Sequence, residues 1–128
     1  MTVVGIGADL VDIERMRTVI SRRPRFVERV FTQAERDYCS ATRDPSERYA
    51  ARFAAKEAVL KTLGVGLGGA DFGDIEVVRL PSGQPELRIS GRAAALAAER
   101  GITRWLITIS HSEHLAQAVV LGLSDGTI

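Results

Sequence analysis

The chain is short of cysteine, aromatics, lysine and long apolar runs, and each shortage narrows what it can be. One cysteine, Cys39, stands in 128 residues. A lone thiol excludes an intramolecular disulfide and fits a reducing compartment. Aromatic residues make up 5% of the chain, so the core must rest on Val, Ile, Leu and Ala. No apolar run approaches the roughly 20 residues that span a bilayer as a helix, so no membrane association is expected. The segment Met1 to Asp9 has no basic start and meets an acid too early for a signal peptide. The expectation is a cytoplasmic protein. The length fits a single domain over residues 1–128, small enough for assembly to help its stability.

Basic residues number 17 against 16 acidic ones, a net charge of +1. Only two of the 17 are lysines, Lys56 and Lys61, five residues apart. An arginine-preferring composition explains this without any function. A compact ammonium wanted as a point charge for phosphate explains it equally well.

Along the chain, Thr2–Ala8 alternates β-branched and small residues and predicts a strand, with Gly5 and Gly7 permitting close backbone approach and Asp9 at its end. Asp12 is a candidate N-cap for a helix toward Ile20. Residues 22–25 read as a basic break, followed by a short apolar stretch from Phe26 to Phe31. Thr32 and Glu35 have capping-box spacing for a helix to about Cys39. After a loop from Ala41 to Asp44, Pro45–Leu63 predicts a long Ala-rich helix with Pro45 in its first turn and Gly64 as its C-terminal cap. Ile75–Leu80 and Glu86–Ser90 read as a hairpin, Gly91–Arg100 as a helix, and Trp105–Ser110 and Leu115–Leu123 as two more strands. The tail from Ser124 to Ile128 is expected to fray. The predicted class is α+β, a mostly antiparallel sheet packed with the long helix.

Four segments are candidates for chemistry. At 100° per residue, Glu57, Lys61 and Phe53 share one face of the long helix, flanked by Ala50, Ala54 and Leu60. Arg48, Arg52 and Lys56 form a separate basic stripe. A surface Glu–Lys pair at i,i+4 stabilises a helix by roughly 0.2–0.5 kcal/mol and needs no function. Charges set within apolar flanks instead require a partner or a metal. Gly64–Gly69 matches G-x-G-x-x-G but follows a helix, so it is neither a dinucleotide fingerprint nor a P-loop; beside Lys61, its N–H groups still suit phosphate. Ser110–His114 joins two predicted strands. His111 fits either a phosphate donor or a plain turn histidine, and the spacing is poor for a closed zinc site. Arg15, Arg22, Arg25 and Arg29 read as a solvated face or as a surface for an acidic partner. Apart from Phe26 that segment lacks aromatics for base stacking, which counts against single-stranded RNA, and no nucleic acid partner is expected.

Three segments, in order, resemble one family. Gly5-Ile6-Gly7-Ala8-Asp9 resembles G-x-G-x-D. The segment from Arg52 to Lys61 resembles F/W-x-x-K-E-x-x-x-K. Ile109-Ser110-His111-Ser112 resembles a late S/T-H strand end. Together they resemble the holo-acyl-carrier-protein synthases, the short bacterial 4′-phosphopantetheinyl transferases of fatty acid biosynthesis. The resemblance implies transfer of 4′-phosphopantetheine from coenzyme A to a serine of apo-acyl carrier protein, releasing adenosine 3′,5′-bisphosphate. It implies Mg²⁺ held by Asp9 and Glu57, a catalytic set of Glu57, Lys61 and Asp9, and either Glu57 or a metal-bound water as base. Coenzyme A would be held by Arg52, Lys61, Gly64, His111, Arg43 and Ser112. Arg15, Arg22, Arg25 and Arg29 would face the acidic carrier-protein helix. A homotrimer with active sites between subunits is also implied. The competing reading is a non-catalytic basic module using the Arg15–Arg29 face, which leaves Asp9, Glu57 and Lys61 without a shared purpose.

Overall fold

The two N-terminal glycines account for how the molecule is put together. In the computed structural model, which describes residues 1–126, the first strand, β1 (Thr2–Asp12), lies against the central helix, α4 (Ser46–Thr62). A Cβ on Gly5 would sit 2.6 Å from the carbonyl oxygen of Thr62, and one on Gly7 would overlap the carbonyl of Ala58. Only glycine lets strand and helix backbones meet this closely. On the helix side the approach is matched by Ala54, Ala55 and Ala58, all fully buried.

β1 is longer than predicted. It continues through Asp9 because β5 (Leu115–Ser124) pairs with it antiparallel as far as Asp12 opposite Leu115. Asp9 is therefore a strand residue opposite Ala118, not a strand end. β4 (Arg104–His111) flanks β5 on its other side, giving the order β1-β5-β4. The hairpin β2 (Ile75–Arg79) and β3 (Pro85–Ile89) forms a second, separate antiparallel sheet rather than extending the first.

Asp12 caps α1 (Ile13–Arg22), its carboxylate accepting from the Arg15 N–H. The basic break expected at residues 22–25 narrows to Arg23, between two helices, and most of the apolar stretch after it is helical. Pro24 opens a further helix, α2 (Pro24–Val30), its missing N–H costing nothing at a first helical position. The Thr32–Glu35 capping box starts α3 (Gln33–Ser40). Pro45 stands at the N-cap of α4 rather than inside it. At the other end, Gly64 at φ +73 closes α4: its N–H reaches the Lys61 carbonyl and the Val65 N–H the Leu60 carbonyl, both at 3.0 Å. This is the Schellman arrangement. α5 (Gly91–Glu99) covers the hairpin side. Ser124 is the last residue of β5, and the end of the tail, residues 127–128, lies outside the described residues.

α4 is shared by two apolar clusters. One joins it to the three-stranded sheet through Ala118 and Val120 and to β2 and α5; the other joins it to α1, α2 and α3 around Phe31, Cys39 and Tyr49. Burial pushes the Cys39 thiol up to about 12, so it stays protonated and inert. Register and burial together place Gly7, Asp9 and Val11 on the sheet face toward α4, with Ala118 and Val120 beside them and Ile109 and His111 across on β4. The opposite face carries Ile6, Leu10, Leu106 and Leu115, all exposed. No helix among the described residues is long and apolar enough to cross a membrane.

Candidate active site

Because β5 lies between β1 and β4, the two edge strands send their polar residues to opposite flanks of α4. Asp9 emerges on the β1 flank. Lys61 meets it there, its ammonium donating to Asp9 Oδ1 at 3.1 Å and to the Ala8 carbonyl at 2.8 Å. Glu57, one turn before Lys61, shares this environment. Its carboxyl is held above its usual value by burial first and by the Asp9 charge second, while Lys61 acts the other way. The i,i+4 pair expected on the helix surface is thus not the pairing that forms. Lys61 reaches across to β1, and Glu57 is left facing a second carboxylate.

The surroundings are aromatic. Phe53 packs between Phe26 and Phe72, with ring centroids 5.6 Å apart on each side. These rings separate two clefts. Asp9, Asp12, Arg15 and Met16 line one. Glu57, Arg29, Leu67, Ala70, Asp71 and Asp74 line the other, a space of about 820 Å³. Arg15 and Arg29 thereby flank the carboxylate pair, and Arg22 and Arg25 lie exposed on the same two helices.

Lys56 belongs to neither cleft. It is fully buried, its ammonium 2.7 Å from Glu35 Oε1 and donating to the Phe72 carbonyl at 2.9 Å and to the Ile75 carbonyl. Glu35 in turn accepts from the N–H groups of Thr32 and Val77, each at 2.9 Å. Burial draws the ammonium below its usual value, and the Glu35 charge opposes that. The stripe of Arg48, Arg52 and Lys56 read from the sequence is therefore split: one member is core, and two line a cavity.

That cavity, about 340 Å³, lies on the β4 flank and is bounded by Tyr38, Arg48, Arg52, Arg79, Pro85 and His111. His111 Nε2 is 3.3 Å from Glu47 Oε1. Within one chain, Arg52 and His111 therefore share a site that Asp9, Glu57 and Lys61 do not line. Arg43 is exposed on the loop between α3 and α4. Ser112 serves the backbone instead, its hydroxyl accepting from the N–H groups of His114 and Leu115 and shaping the β4–β5 turn. Sequence reading left out Tyr38 and Arg79, which enter the cavity from α3 and β2; only the hairpin assignment hinted at the latter.

A family model described as the 4′-phosphopantetheinyl transferase superfamily matches residues 5–119. The chain belongs to this family, among the holo-acyl-carrier-protein synthases. It is 46% identical over 126 residues to the holo-acyl-carrier-protein synthase of Desulforudis audaxviator, covering 96% of each chain. It is 45% identical over 115 residues to that of Moorella thermoacetica, covering 90% of each. The crystal structure of the Bacillus anthracis synthase in complex with CoA (3′,5′-ADP) superposes with a TM-score of 0.82 at 33% identity, over 98% of this chain and 100% of that one. A synthase of this family is a transferase, and the α+β fold with antiparallel sheets is the family's own. The resemblance carried by Gly5–Asp9, Arg52–Lys61 and Ile109–Ser112 is borne out.

Proposed function

We propose that the chain transfers 4′-phosphopantetheine from coenzyme A to a serine hydroxyl of an apo-acyl carrier protein, leaving adenosine 3′,5′-bisphosphate, in a Mg²⁺-dependent reaction. The observation that carries this reading is the Asp9–Glu57–Lys61 set: two carboxylates near enough for one charge to raise the other's pKa, with one ammonium bound to Asp9. Mutual repulsion of this kind is what a divalent cation relieves. Mg²⁺ favours one or two carboxylates, with phosphate oxygens and water completing its shell. Asp9 and Glu57 are thus the residues that would hold it, and bound there it would offset charge on the pyrophosphate.

The remaining roles fall to the chain's own groups. Lys61, about half exposed and anchored to β1, presents N–H donors to phosphate. Glu57, or a water held beside it, is the candidate base that takes the serine proton. Arg52 and His111 hold the nucleotide end, with Arg43, Gly64 and Ser112 as further cosubstrate contacts. Arg15, Arg22, Arg25 and Arg29 form an exposed basic surface beside the carboxylates, complementary to an acidic carrier-protein helix.

The two half-sites on opposite flanks of α4 support a site completed between subunits. The exposed apolar sheet face with Ile6, Leu10, Leu106 and Leu115 supports assembly. We assign a homotrimer in the cytoplasm. The test is the intact mass of an apo-acyl carrier protein after incubation with the enzyme, coenzyme A and Mg²⁺. A gain of one phosphopantetheine is expected. Glu57→Gln should lower the rate by about 10²–10⁴-fold with the fold retained; full activity in that variant would remove Glu57 from the mechanism.

A further inference from the structure

Lys56 and Glu35 are buried charges that neither flank of α4 uses, and their bonds lead to the cleft that Glu57 lines. One wall of that cleft is the segment Ala70–Asp74, with Leu67 and Gly68 before it. It has little regular structure, a single 3₁₀ turn over Phe72–Asp74. Among the described residues, the hydrogen bonds that tie Gly69–Gly73 to elements distant in sequence come from two side chains. Lys56 donates to the Phe72 carbonyl at 2.9 Å, and to the Ile75 carbonyl just beyond the turn. Arg92, exposed on α5, donates from Nε to the Gly69 carbonyl at 3.2 Å. Asp74 fastens the wall to the same helix: its carboxylate accepts from the Arg92 N–H at 3.2 Å and its carbonyl from the Ser90 N–H at 2.9 Å. Two cations thus grip the wall, one from α4 and one from α5.

An apolar side chain would fill the Lys56 site as well. A buried ion pair replaced by apolar groups of similar volume is often as stable or more so, so stability alone gives no reason for an ammonium here. What an ammonium adds is direction. It has three donors, and Glu35 and the Phe72 and Ile75 carbonyls take them. Two of those three bonds fix the backbone of the wall relative to α4. Lys56 and Glu57 are consecutive, about 100° apart on the helix. One turn of α4 therefore puts a carboxylate in the cleft and an ammonium behind its wall. The Phe72 ring adds to the hold, its centroid 5.6 Å from that of Phe53, one turn before Glu57.

We propose that Lys56 is a positioning residue for the transfer site: it holds the wall beside Glu57 by its backbone carbonyls, with Arg92 holding the wall's other end. This rests on the transferase reading, in which Glu57 and the glycine loop meet the cosubstrate. The wall carries no reacting group, so it acts on coenzyme A binding and not on turnover at saturation.

The test compares wild type, Lys56→Met/Glu35→Gln, Arg92→Ala and Arg92→Lys. The readouts are kcat and KM for coenzyme A and for the carrier protein, per folded molecule, with calorimetric binding of coenzyme A and amide hydrogen exchange across residues 66–77. The double variant should raise KM for coenzyme A by about ten- to a hundredfold, as displaced binding groups do. Arg92→Ala should raise it by about two- to tenfold, the worth of one hydrogen bond. Both should spare kcat and the KM for the carrier protein, and both should speed exchange in the wall. Arg92→Lys keeps a donor within reach and should regain most of the loss. Were Lys56 a core contact alone, the stability recovered in the double variant would bring KM back with it, and that outcome overturns the proposal. So do losses that fall equally on coenzyme A and the carrier protein. Should the double variant fail to fold, the exposed Arg92 decides: an unchanged KM in Arg92→Ala overturns the wall. Wild type that bound coenzyme A but transferred nothing would sink the transferase reading, with the wall still judged by calorimetry. Normal transfer with unchanged coenzyme A binding in both variants would sink the wall alone.

Discussion

Lys56 and Lys61 lie five residues apart on one helix, and the fold uses them in opposite ways. Around Lys56 every hydrogen-bonding group is met: the ammonium has a carboxylate and two carbonyls, and the Glu35 carboxylate has two N–H groups. That node joins α4 to α3, β2 and the short turn before it, out of contact with solvent. Around Lys61 the arrangement is open, with the ammonium half exposed and Glu57 near enough to Asp9 for the two charges to act on each other. A closed polar network fixes structure. An incompletely neutralised one leaves capacity for a ligand. The same contrast separates the satisfied Lys56 from the unsatisfied Arg52 one turn away.

Three predictions press on that comparison. The largest effect should come from the buried lysine. Lys56→Met leaves Glu35 charged and unpaired in the core, a change that costs about 3–5 kcal/mol. Lys56→Met/Glu35→Gln should recover part of the loss. Lys61→Met, at an exposed pair, should change stability by less than about 1 kcal/mol while greatly slowing transfer. Urea denaturation beside the carrier-protein mass assay checks both halves. If the two lysine variants lost stability equally, the contrast between closed node and open site would fail.

A smaller effect is expected where strand and helix touch. Gly7→Ala must displace β1 from the Ala58 carbonyl, and overpacking of this kind costs about 1–3 kcal/mol. Since β1 carries Asp9, activity should fall further than stability explains. A variant that melted lower yet kept full turnover per folded molecule would show that the site tolerates movement of β1.

The smallest effect concerns the sign of a pH dependence. Glu57 has a raised pKa in the folded protein, so between its ordinary value of 4.5 and its folded value the native state binds more protons than the unfolded chain. Stability from this group therefore falls as pH rises through that window, and the penalty is fully present above it. In buffer without divalent cations, Glu57→Gln should melt higher than wild type near neutral pH, and the gap should close below the ordinary carboxylate range. Melting curves across pH are the measurement. A wild type more stable than the variant near neutrality would mean that Lys61 outweighs burial and Asp9.

Much of this was readable in the chain, and the unreadable part has a pattern. Caps, turns and helix ends came through because they depend on neighbours in sequence: Thr32 and Glu35 three apart, Asp12 before α1, Gly64 after α4. The errors lie where distant pairing decides. β1 outran its alternating pattern because β5 continued beside it. The residues from Pro24 to Val30 became a helix because Pro24 could open one and Val30 had a core to enter. The predicted single sheet came apart into two because β3 and β4 lie side by side without pairing.

The site divides in the same way. By itself the sequence determined the chemistry available on α4, the glycines that let β1 approach it, and the order of segments that marks the family. Helical periodicity and residue type act over a few residues, so they are legible locally. The sequence could not say which lysine is core and which is site, that Lys61 pairs with Asp9 rather than Glu57, or that Tyr38 and Arg79 meet Arg52. Those outcomes depend on which flank of α4 each strand and loop occupies, and only the packing of the whole chain sets that. Tertiary structure thereby decided which charges are satisfied and which are left for a ligand.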